Sequence, residues 1–203
     1  MPTNPAEVKR VAAEFVAEIN AAYGLYLDAT AGFAALVDMI TRGQEQAGST
    51  DDNAFFYGIG PPTDATNVLL HQTTLGALKK RIQDGGDNYF LLARLLIVLL
   101  YELWETGYRT PLATAAGVPR DQLLVPVFGD LRLLRHEVLH NKGRLTPETL
   151  SKLEVLTVPA AASIDLSKDD LVQVVRQVKV AVDEVVTKWT GEDPAYRTIW
   201  HLT

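Results

Sequence analysis

Apolar residues recur along most of the chain at the three- and four-residue spacing of an amphipathic helix. The first such stretch covers residues 5 to 42 and predicts one long helix, or two in tandem that meet near Gly24 or Gly32. Two further stretches predict helices over about 65 to 83 and about 87 to 107. The first half of the chain is therefore predicted to be mostly helical.

Two more helices are predicted in the second half. One covers about 121 to 142, with Pro126 either in its first turn or dividing a short piece from it, and with Gly143 as its stop. The other covers about 167 to 190 and begins at Ser167, because a serine side chain can accept a hydrogen bond from a free N–H group of the first turn. The predicted fold class is all-α, a bundle of four or five helices with short irregular segments.

The segments between these helices contain residues that break regular structure. Residues 43 to 64 are rich in Gly, Pro and Asp and predict a loop. The segment 147 to 166 is irregular around Pro159, with 153 to 156 as its best candidate for a strand. Because the length suits one domain and no repeat is visible, a single domain over 1–203 is predicted.

Composition restricts the classes of function. The chain has no cysteine, so any tight metal site must use its four histidines and its carboxylates. Its net charge of −6 argues against broad nonspecific binding to nucleic acid, which depends on phosphate neutralisation. The first twenty residues lack the apolar core of a signal peptide, and the apolar run 90–104 is interrupted and short for a membrane span. A cytoplasmic protein with no membrane partner is expected.

The stretch RHEVLHNKG, residues 135 to 143, contains an H-E-x-x-H string through His136, Glu137 and His140. In zinc hydrolases of this type the two histidines share a helix face and bind the metal, and the glutamate is the general base. The string resembles the start of the metzincin signature, but Thr146 stands where that family has a third ligand, and no strand is predicted upstream to hold an extended peptide. Zinc hydrolysis is therefore the weaker interpretation.

The same stretch contains an R-x4-H pair, Arg135 and His140, which is a ribonuclease signature. On a helical wheel, the stripe predicted to face the core consists of Leu124, Val127, Leu131, Leu134 and Val138. The opposite face consists of Leu133, His136 and His140, with Arg132 and Leu139 on its flank. Leucines on an outward face indicate a surface that a second chain covers or that lines a cleft.

Residues 95–113 and 127–143 together resemble the HEPN superfamily, the higher eukaryote and prokaryote nucleotide-binding helical bundles. The matching residues are Tyr101, Trp104, Glu105, Tyr108, Arg109, Gly129, Asp130, Leu131, Arg132, Arg135, His136, His140, Asn141 and Gly143. The family motif is an arginine, a polar residue, three to five further residues and a histidine, which Arg135, His136 and His140 satisfy. About fifty residues carry the specific match, and the flanking helices agree only in kind.

The resemblance implies a metal-independent endoribonuclease without a cofactor. It also implies a homodimer in which the motif helices of two protomers face each other and line one cleft. Many members of the superfamily are toxins or phage-defence effectors, which adds an antitoxin protein to the expected partners. Other members are inactive, so the alternative is a module that binds RNA, a nucleotide or a protein partner through the same face.

The chemistry of RNA cleavage assigns roles to these residues. Attack by the 2′-hydroxyl needs a base and an acid, and the imidazole of His140 is the candidate for proton transfer. Arg135 is the candidate for stabilising the charge on the phosphate oxygens, with His136 or Asn141 as supporting residues. The further cations expected to contact RNA are Arg132, Lys142, Arg144 and Arg109. Because Arg135 and His140 lie about 140° apart around one helix, two facing helices are needed to bring them together.

Structural interpretations remain beside the functional ones. The cations near the motif are RNA contacts, solvated surface cations, or partners of Asp130 and Glu137. The aromatic residues Tyr101, Trp104 and Tyr108 are expected in the core more than in base stacking. His71 and His201 have no motif around them and receive no role.

Overall fold

The computed structural model describes residues 3–60, 66, 68–159 and 163–194. Helices make up 69% of the structure and strands 8%, which confirms the predicted all-α class. Across these described residues, no helix is both long enough and apolar enough to cross a lipid bilayer. His201 lies outside the described residues.

The first helix, α1, is a single continuous helix over Pro5–Ala47. Of the two arrangements that the sequence allowed, the long helix is therefore correct, and neither Gly24 nor Gly32 interrupts it. The helix also extends five residues beyond the predicted end at 42. The extension has the sequence GQEQA, in which every residue except Gly43 has a good helix propensity. The helix therefore continues through this single glycine.

A β-hairpin occupies part of the predicted loop over 43 to 64 and the first part of the predicted helix over 65 to 83. Strand β1 covers Ala54–Ile59 and strand β2 covers Val68–Thr74, and the two pair antiparallel with an irregularity between Tyr57 and Gly58. Each prediction was wrong where a strand lies, because β1 and β2 contain aromatic and β-branched residues that favour strands, whereas the second half of the predicted helix is helical. Helix α2 follows directly over Leu75–Ile82, with the Thr74 side chain capping its first turn.

The apolar helix α3 covers Asp87–Glu102 and runs into a π-helical turn over Leu103–Tyr108. The predicted helix over 87 to 107 is thus helical throughout, but its last turn is wider than an α-helix. Helix α4 continues over Arg109–Ala116 and ends at Gly117, which has a left-handed backbone. Single π-helical turns are found often at functional sites, and this one lies next to Glu102.

The motif helix α5 covers Pro126–His140, and a short 3-10 turn over Arg120–Gln122 precedes it. The predicted start at 121 was too early. Pro126 is the first helical residue, which suits a residue that has no N–H group and a fixed φ. After the helix, the N–H of Gly143 donates to the carbonyl of Glu137 at 2.8 Å, and Gly143 has the positive φ expected of a stop residue.

Two more helices follow α5 in the described part of the chain. Helix α6 covers Pro147–Ser151, and helix α7 covers Lys168–Thr190. The predicted start of α7 is confirmed, because the Ser167 side chain accepts from the N–H of Asp170 and the Asp170 carboxylate accepts from the N–H of Ser167. The strand predicted at 153 to 156 is wrong, because these residues form a bend.

The chain divides into two compact units, one of Met1–Tyr26 with Leu92–Thr203 and one of Leu27–Leu91. The single domain over 1–203 stays a prediction. In the smaller unit, Ile40, Leu78 and Ile82 are buried together and partly buried apolar side chains pack around them.

Aromatic rings fill part of the core of the larger unit. The rings of Trp104 and Phe128 are stacked at 4.1 Å between centroids, and Phe15 lies 4.7 Å from Tyr108. Trp104 is buried, so it packs in the core and is not a surface for stacking RNA bases. The contact between Trp104 and Phe128 also joins the π-helical turn to the start of α5.

Candidate functional site

One face of α5 packs into the larger unit and fixes the direction of the opposite face. Its buried residues are Val127, Phe128, Asp130, Leu131, Leu134 and Glu137. Two residues of the stripe that was predicted to face the core are not fully buried. Leu124 precedes the helix and is 74% exposed, and Val138 is only half-buried. The stripe predicted from apolar residues alone was therefore incomplete, because two carboxylates occupy core positions of this helix.

The buried carboxylate of Asp130 joins α5 to the bend that follows α6. It accepts hydrogen bonds from the backbone N–H groups of Glu154, Val155 and Leu156, the last two at 2.7 and 2.8 Å. These contacts explain why a carboxylate can be buried here, because each donor satisfies part of its charge. Asp130 is thus a structural residue and not the partner of a nearby cation.

The buried carboxylate of Glu137 holds the segment that follows α5. It accepts hydrogen bonds from the Asn141 side-chain amide, from the hydroxyl of Thr149 and, at 3.5 Å, from that of Thr146. Burial raises the pKa of this carboxyl, but the bonds from Asn141 and Thr149 and the nearby His136 outweigh it, so the pKa lies below its usual value. Glu137 is an anion that is used within the fold.

The outward face of α5 is exposed within one chain, as the helical wheel predicted. His136, His140, Arg132 and Leu139 are exposed, and Leu133 is half-buried. The rings of His136 and His140 lie 4.7 Å apart between centroids. Glu137 of the same helix is buried and its carboxylate is bonded to Asn141 and Thr149, so it is badly placed to act as a base for a metal bound at the exposed histidine pair. This arrangement argues against the zinc hydrolase interpretation.

An open pocket of about 400 Å³ lies at the C-terminal end of α5. Its lining residues are His140, Asn141, Lys142, Arg144 and Thr146. Four of the residues predicted for the site therefore come together here, namely one catalytic candidate, one supporting residue and two of the RNA-binding cations. The pocket combines a group that can transfer a proton with two cations and an amide, which is the chemistry that a phosphodiester requires.

The backbone after α5 makes a tight turn that shapes this pocket. Lys142 and Gly143 have positive φ angles of 56° and 76°. A side chain at Gly143 would come within 2.9 Å of the Arg94 guanidinium group, which itself donates to the carbonyl of Ile164. The carbonyl of Gly143 in turn accepts from the N–H of Ile164 at 2.7 Å. The position thus needs glycine both for its backbone conformation and for the close approach of Arg94.

The cations near the pocket are available to a ligand. Arg132, Lys142 and Arg144 form no ion pair with any carboxylate among the residues that the structure describes. The interpretation that they neutralise Asp130 and Glu137 is wrong, because backbone N–H groups and side-chain donors satisfy both of those carboxylates. Lys142 and Arg144 therefore give the acidic chain a local concentration of positive charge at the pocket, whereas Arg132 lies in the middle of α5.

Arg109 is in a different situation from the other predicted cations. Its guanidinium group lies 3.1 Å from the Glu105 carboxylate, which also binds Arg120 at 2.5 Å. Arg109 is only partly exposed and does not line the pocket. It therefore does not join Lys142 and Arg144 within one chain.

Arg135 is held on the side of α5 that faces α3. Its Nε atom lies 2.6 Å from a Glu102 carboxylate oxygen, and its guanidinium carbon lies 5.5 Å from the centroid of the Tyr101 ring. The ion pair and the ring contact hold the side chain in one direction. The structure therefore does not place Arg135 in the pocket beside His140 of the same chain, which agrees with their separation around the helix.

Sequence reasoning missed three residues that organise this region. Glu102 pairs with Arg135, and Thr146 and Thr149 donate to Glu137. No local pattern marks them, because their contacts join positions that are 9 to 33 residues apart in the chain. A single weak signal was present for Glu102, which is a charged residue at the end of the apolar helix α3.

The contacts of Glu137 lead to a prediction about stability. Replacement Glu137→Ala removes the acceptor of the buried Thr149 hydroxyl and releases Asn141, which is expected to lower the free energy of unfolding by about 1 to 3 kcal/mol. Urea unfolding monitored by circular dichroism measures the change. The matched control is Glu148→Ala, because Glu148 is exposed and bonds only to Lys152, so a change below about 0.5 kcal/mol is expected. Equal effects of the two replacements would contradict a structural role for Glu137.

Comparison of the chain with protein-family models, with curated proteins and with solved structures gave no significant match.

Proposed function

We propose that this protein is a metal-independent endoribonuclease that acts as a homodimer. The observation that carries the proposal is the open pocket at the end of α5, in which His140 and Asn141 lie with Lys142 and Arg144. Neither cation has a carboxylate partner within the described part of the chain. A histidine beside two available cations suits an anionic substrate whose cleavage requires proton transfer.

The proposed reaction uses the 2′-hydroxyl of RNA as the nucleophile. A base removes the proton of the 2′-hydroxyl, the oxygen attacks the adjacent phosphorus, and the bond to the 5′-oxygen breaks as an acid protonates that oxygen. His140 is the residue for proton transfer, because an imidazole can serve as either base or acid near neutral pH. Arg135 stabilises the negative charge of the transition state, because a guanidinium group keeps its charge and matches phosphate geometry. The products are a 2′,3′-cyclic phosphate and a free 5′-hydroxyl.

Asn141 is the better placed of the two supporting residues. Its amide N–H group donates to the Glu137 carboxylate, which leaves the amide oxygen as an acceptor at the edge of the pocket. His136 lies outside the pocket lining but next to His140 on the exposed face. We therefore assign Asn141 to the orientation of substrate or imidazole, and His136 to the surface that meets the second chain.

One feature of a single chain supports the proposed homodimer. Arg135 is held by Glu102 and Tyr101, so it does not reach the phosphate that His140 of the same chain would contact. A second copy of α5 would supply the missing arginine to each pocket.

Exposed leucines support contact between two copies at this face. Leu95 and Leu99 of α3 are 51% and 40% exposed, and Leu139 of α5 is 51% exposed. Leu139 is next to His140 at the exposed end of α5, and Leu95 and Leu99 lie one turn apart on α3. Apolar surface of this kind, mixed with arginine and histidine, is typical of the core of a protein interface.

The wider role is proposed from the resemblance to HEPN proteins described above. We propose a cytoplasmic toxin or phage-defence effector whose substrate is RNA and whose second partner is an antitoxin protein. The local cations Arg132, Lys142 and Arg144 contact the RNA backbone. Arg109 is ion-paired with Glu105 and would contact RNA only after that pair opens.

The experiment that tests the proposal compares RNA cleavage by the protein and by its His140→Ala variant in the presence of EDTA. We expect cleavage by the unchanged protein in EDTA, with cyclic phosphate ends, and a loss of at least about 100-fold in the variant, because proton transfer contributes at least this much. The matched control is His71→Ala, which removes a histidine that contacts Arg81 in the other compact unit. Cleavage that EDTA abolishes, or that His140→Ala retains, would contradict the proposal.

A specific observation also favours the second candidate, a module that binds RNA, a nucleotide or a protein partner without cutting. The Arg135 guanidinium group is neutralised by Glu102 within one chain, which lowers its ability to stabilise a transition state. Binding of a labelled RNA in a filter assay, lost in Lys142→Ala and without cleavage in any buffer, would favour this second function.

A further inference from the structure

The exposed histidine pair of α5 has a geometry that suits a metal ion. His136 and His140 lie one turn apart, both are exposed, and their ring centroids are 4.7 Å apart with the ring planes at 41°. We propose that this pair binds a divalent transition-metal ion of the zinc class and that the bound ion inhibits the protein. The inhibition rests on the proposed ribonuclease function, whereas the binding does not.

The distance between the rings agrees with coordination of one ion by both imidazoles. A zinc ion bound to a histidine nitrogen at about 2.1 Å lies about 3.2 Å from the centroid of that ring. Two rings whose centroids are 4.7 Å apart then enclose an angle of about 95° at the metal. Small rotations of two exposed side chains increase this angle towards the tetrahedral value. The helix thus provides the spacing before any metal binds.

The ligand types determine which metals are expected. Imidazole nitrogen suits zinc, copper and nickel, whereas magnesium and calcium prefer oxygen ligands. Within the described ranges, no group of three or more histidine, aspartate or glutamate side chains is arranged to hold a metal. The site therefore offers two protein ligands, and water or a second chain completes the coordination. Arg132 lies one turn before His136 and adds positive charge, so micromolar rather than nanomolar affinity is expected.

A metal at this pair is expected to inhibit and not to catalyse hydrolysis. In a hydrolytic zinc site a glutamate next to the metal acts as base, but Glu137 is 3% exposed and bonded to Asn141 and Thr149. A metal bound to His140 also occupies the nitrogen lone pair with which this imidazole would accept a proton. The same string of residues that resembles a protease signature would therefore work as an inhibitory site.

Isothermal titration of the tag-free protein with zinc chloride tests the binding. We expect binding by the unchanged protein, weakening by about 10-fold or more in His136→Ala and in His140→Ala, because each removes one of two ligands, and no heat with magnesium chloride. The matched control is His71→Ala, which is expected to bind zinc like the unchanged protein. Circular dichroism spectra of all variants check that each is folded.

The outcomes separate this inference from the proposed function. No binding at about 1 mM zinc, or equal binding by the His136→Ala/His140→Ala double variant, would overturn the metal site. Zinc binding by a protein that does not cut RNA in EDTA would leave the metal site standing and refute the ribonuclease. RNA cleavage that continues at saturating zinc would refute the inhibition.

Discussion

A mixed dimer of the Arg135→Ala and His140→Ala variants is expected to recover about half of the ribonuclease activity, although each variant alone is inactive. In the proposed dimer, each pocket takes Arg135 from one protomer and His140 from the other. A mixed dimer then has one pocket with both residues and one pocket with neither, because the two-fold axis relates the two pockets. Half of the sites are therefore intact.

The measurement requires mixed dimers free of the parent dimers. The two variants are coexpressed with different affinity tags, and two successive affinity steps retain only dimers that contain both chains. The same pair of tags on unchanged chains provides the reference activity. Initial rates of cleavage of a fluorescent RNA in EDTA then give the ratio directly.

The structure explains why this experiment discriminates between arrangements. Within one chain, Arg135 contacts Glu102 and Tyr101 of α3, whereas His140 lines the pocket at the end of α5. If both residues acted from the same chain, no chain of the mixed dimer would contain the pair, and activity would stay at the level of the single variants. That result would contradict the proposed sharing of residues between protomers.

Most of the fold was predictable because the long helices have a regular apolar period. The start of α7 at Ser167 was correct, since a capping residue is a local signal that needs no distant contact. The hairpin over residues 54 to 74 was not predicted. Its second strand leads directly into α2, so apolar residues of both elements merged into one pattern that also fits a helix. The length of this merged pattern did not show where the strand ends and the helix begins.

The candidate site was predictable in part for a related reason. The exposed position of His136, His140 and Leu139 follows from angles around a single helix, which the sequence determines. The burial of Glu137 was not visible, because it depends on Thr146 and Thr149, which the chain brings back only after Gly143. For the same reason the sequence could not show that the glutamate of the H-E-x-x-H string is bonded within the fold, which is the observation that argues against a zinc hydrolase.

The residues on which the resemblance to HEPN proteins rests include several that serve the fold. Trp104 packs against Phe128, and Asp130 binds the backbone of the bend after α6. Two members of the match that look chemically interesting, an aromatic ring and a carboxylate, are thus explained by packing and by hydrogen bonds. Motif membership alone does not assign a catalytic role, so the position of each side chain decides.

Replacement Asp130→Ala is expected to lower the free energy of unfolding by about 3 to 5 kcal/mol, the largest stability effect that we predict. Asp130 is 2% exposed, and its two oxygens accept from the N–H groups of Glu154, Val155 and Leu156. With alanine at this position, these partly or fully buried N–H groups would have no acceptor. Each lost hydrogen bond of this kind lowers the free energy of unfolding by about 1 to 3 kcal/mol.

Urea unfolding monitored by circular dichroism measures this effect, and two further variants make it interpretable. Asp130→Asn keeps one acceptor oxygen but brings its own N–H donors towards the backbone donors, so an intermediate loss is expected. Asp121→Ala removes an exposed carboxylate from the turn before α5 and is expected to change stability by less than about 0.5 kcal/mol. If Asp130→Ala unfolds like Asp121→Ala, the bend over 153 to 156 does not depend on this carboxylate, and the anchoring of the motif helix must lie elsewhere. If the alanine variant is too unstable to purify, the free energies of unfolding of Asp130→Asn and Asp121→Ala still test the same contact, because the asparagine variant is expected to be the less stable of the two.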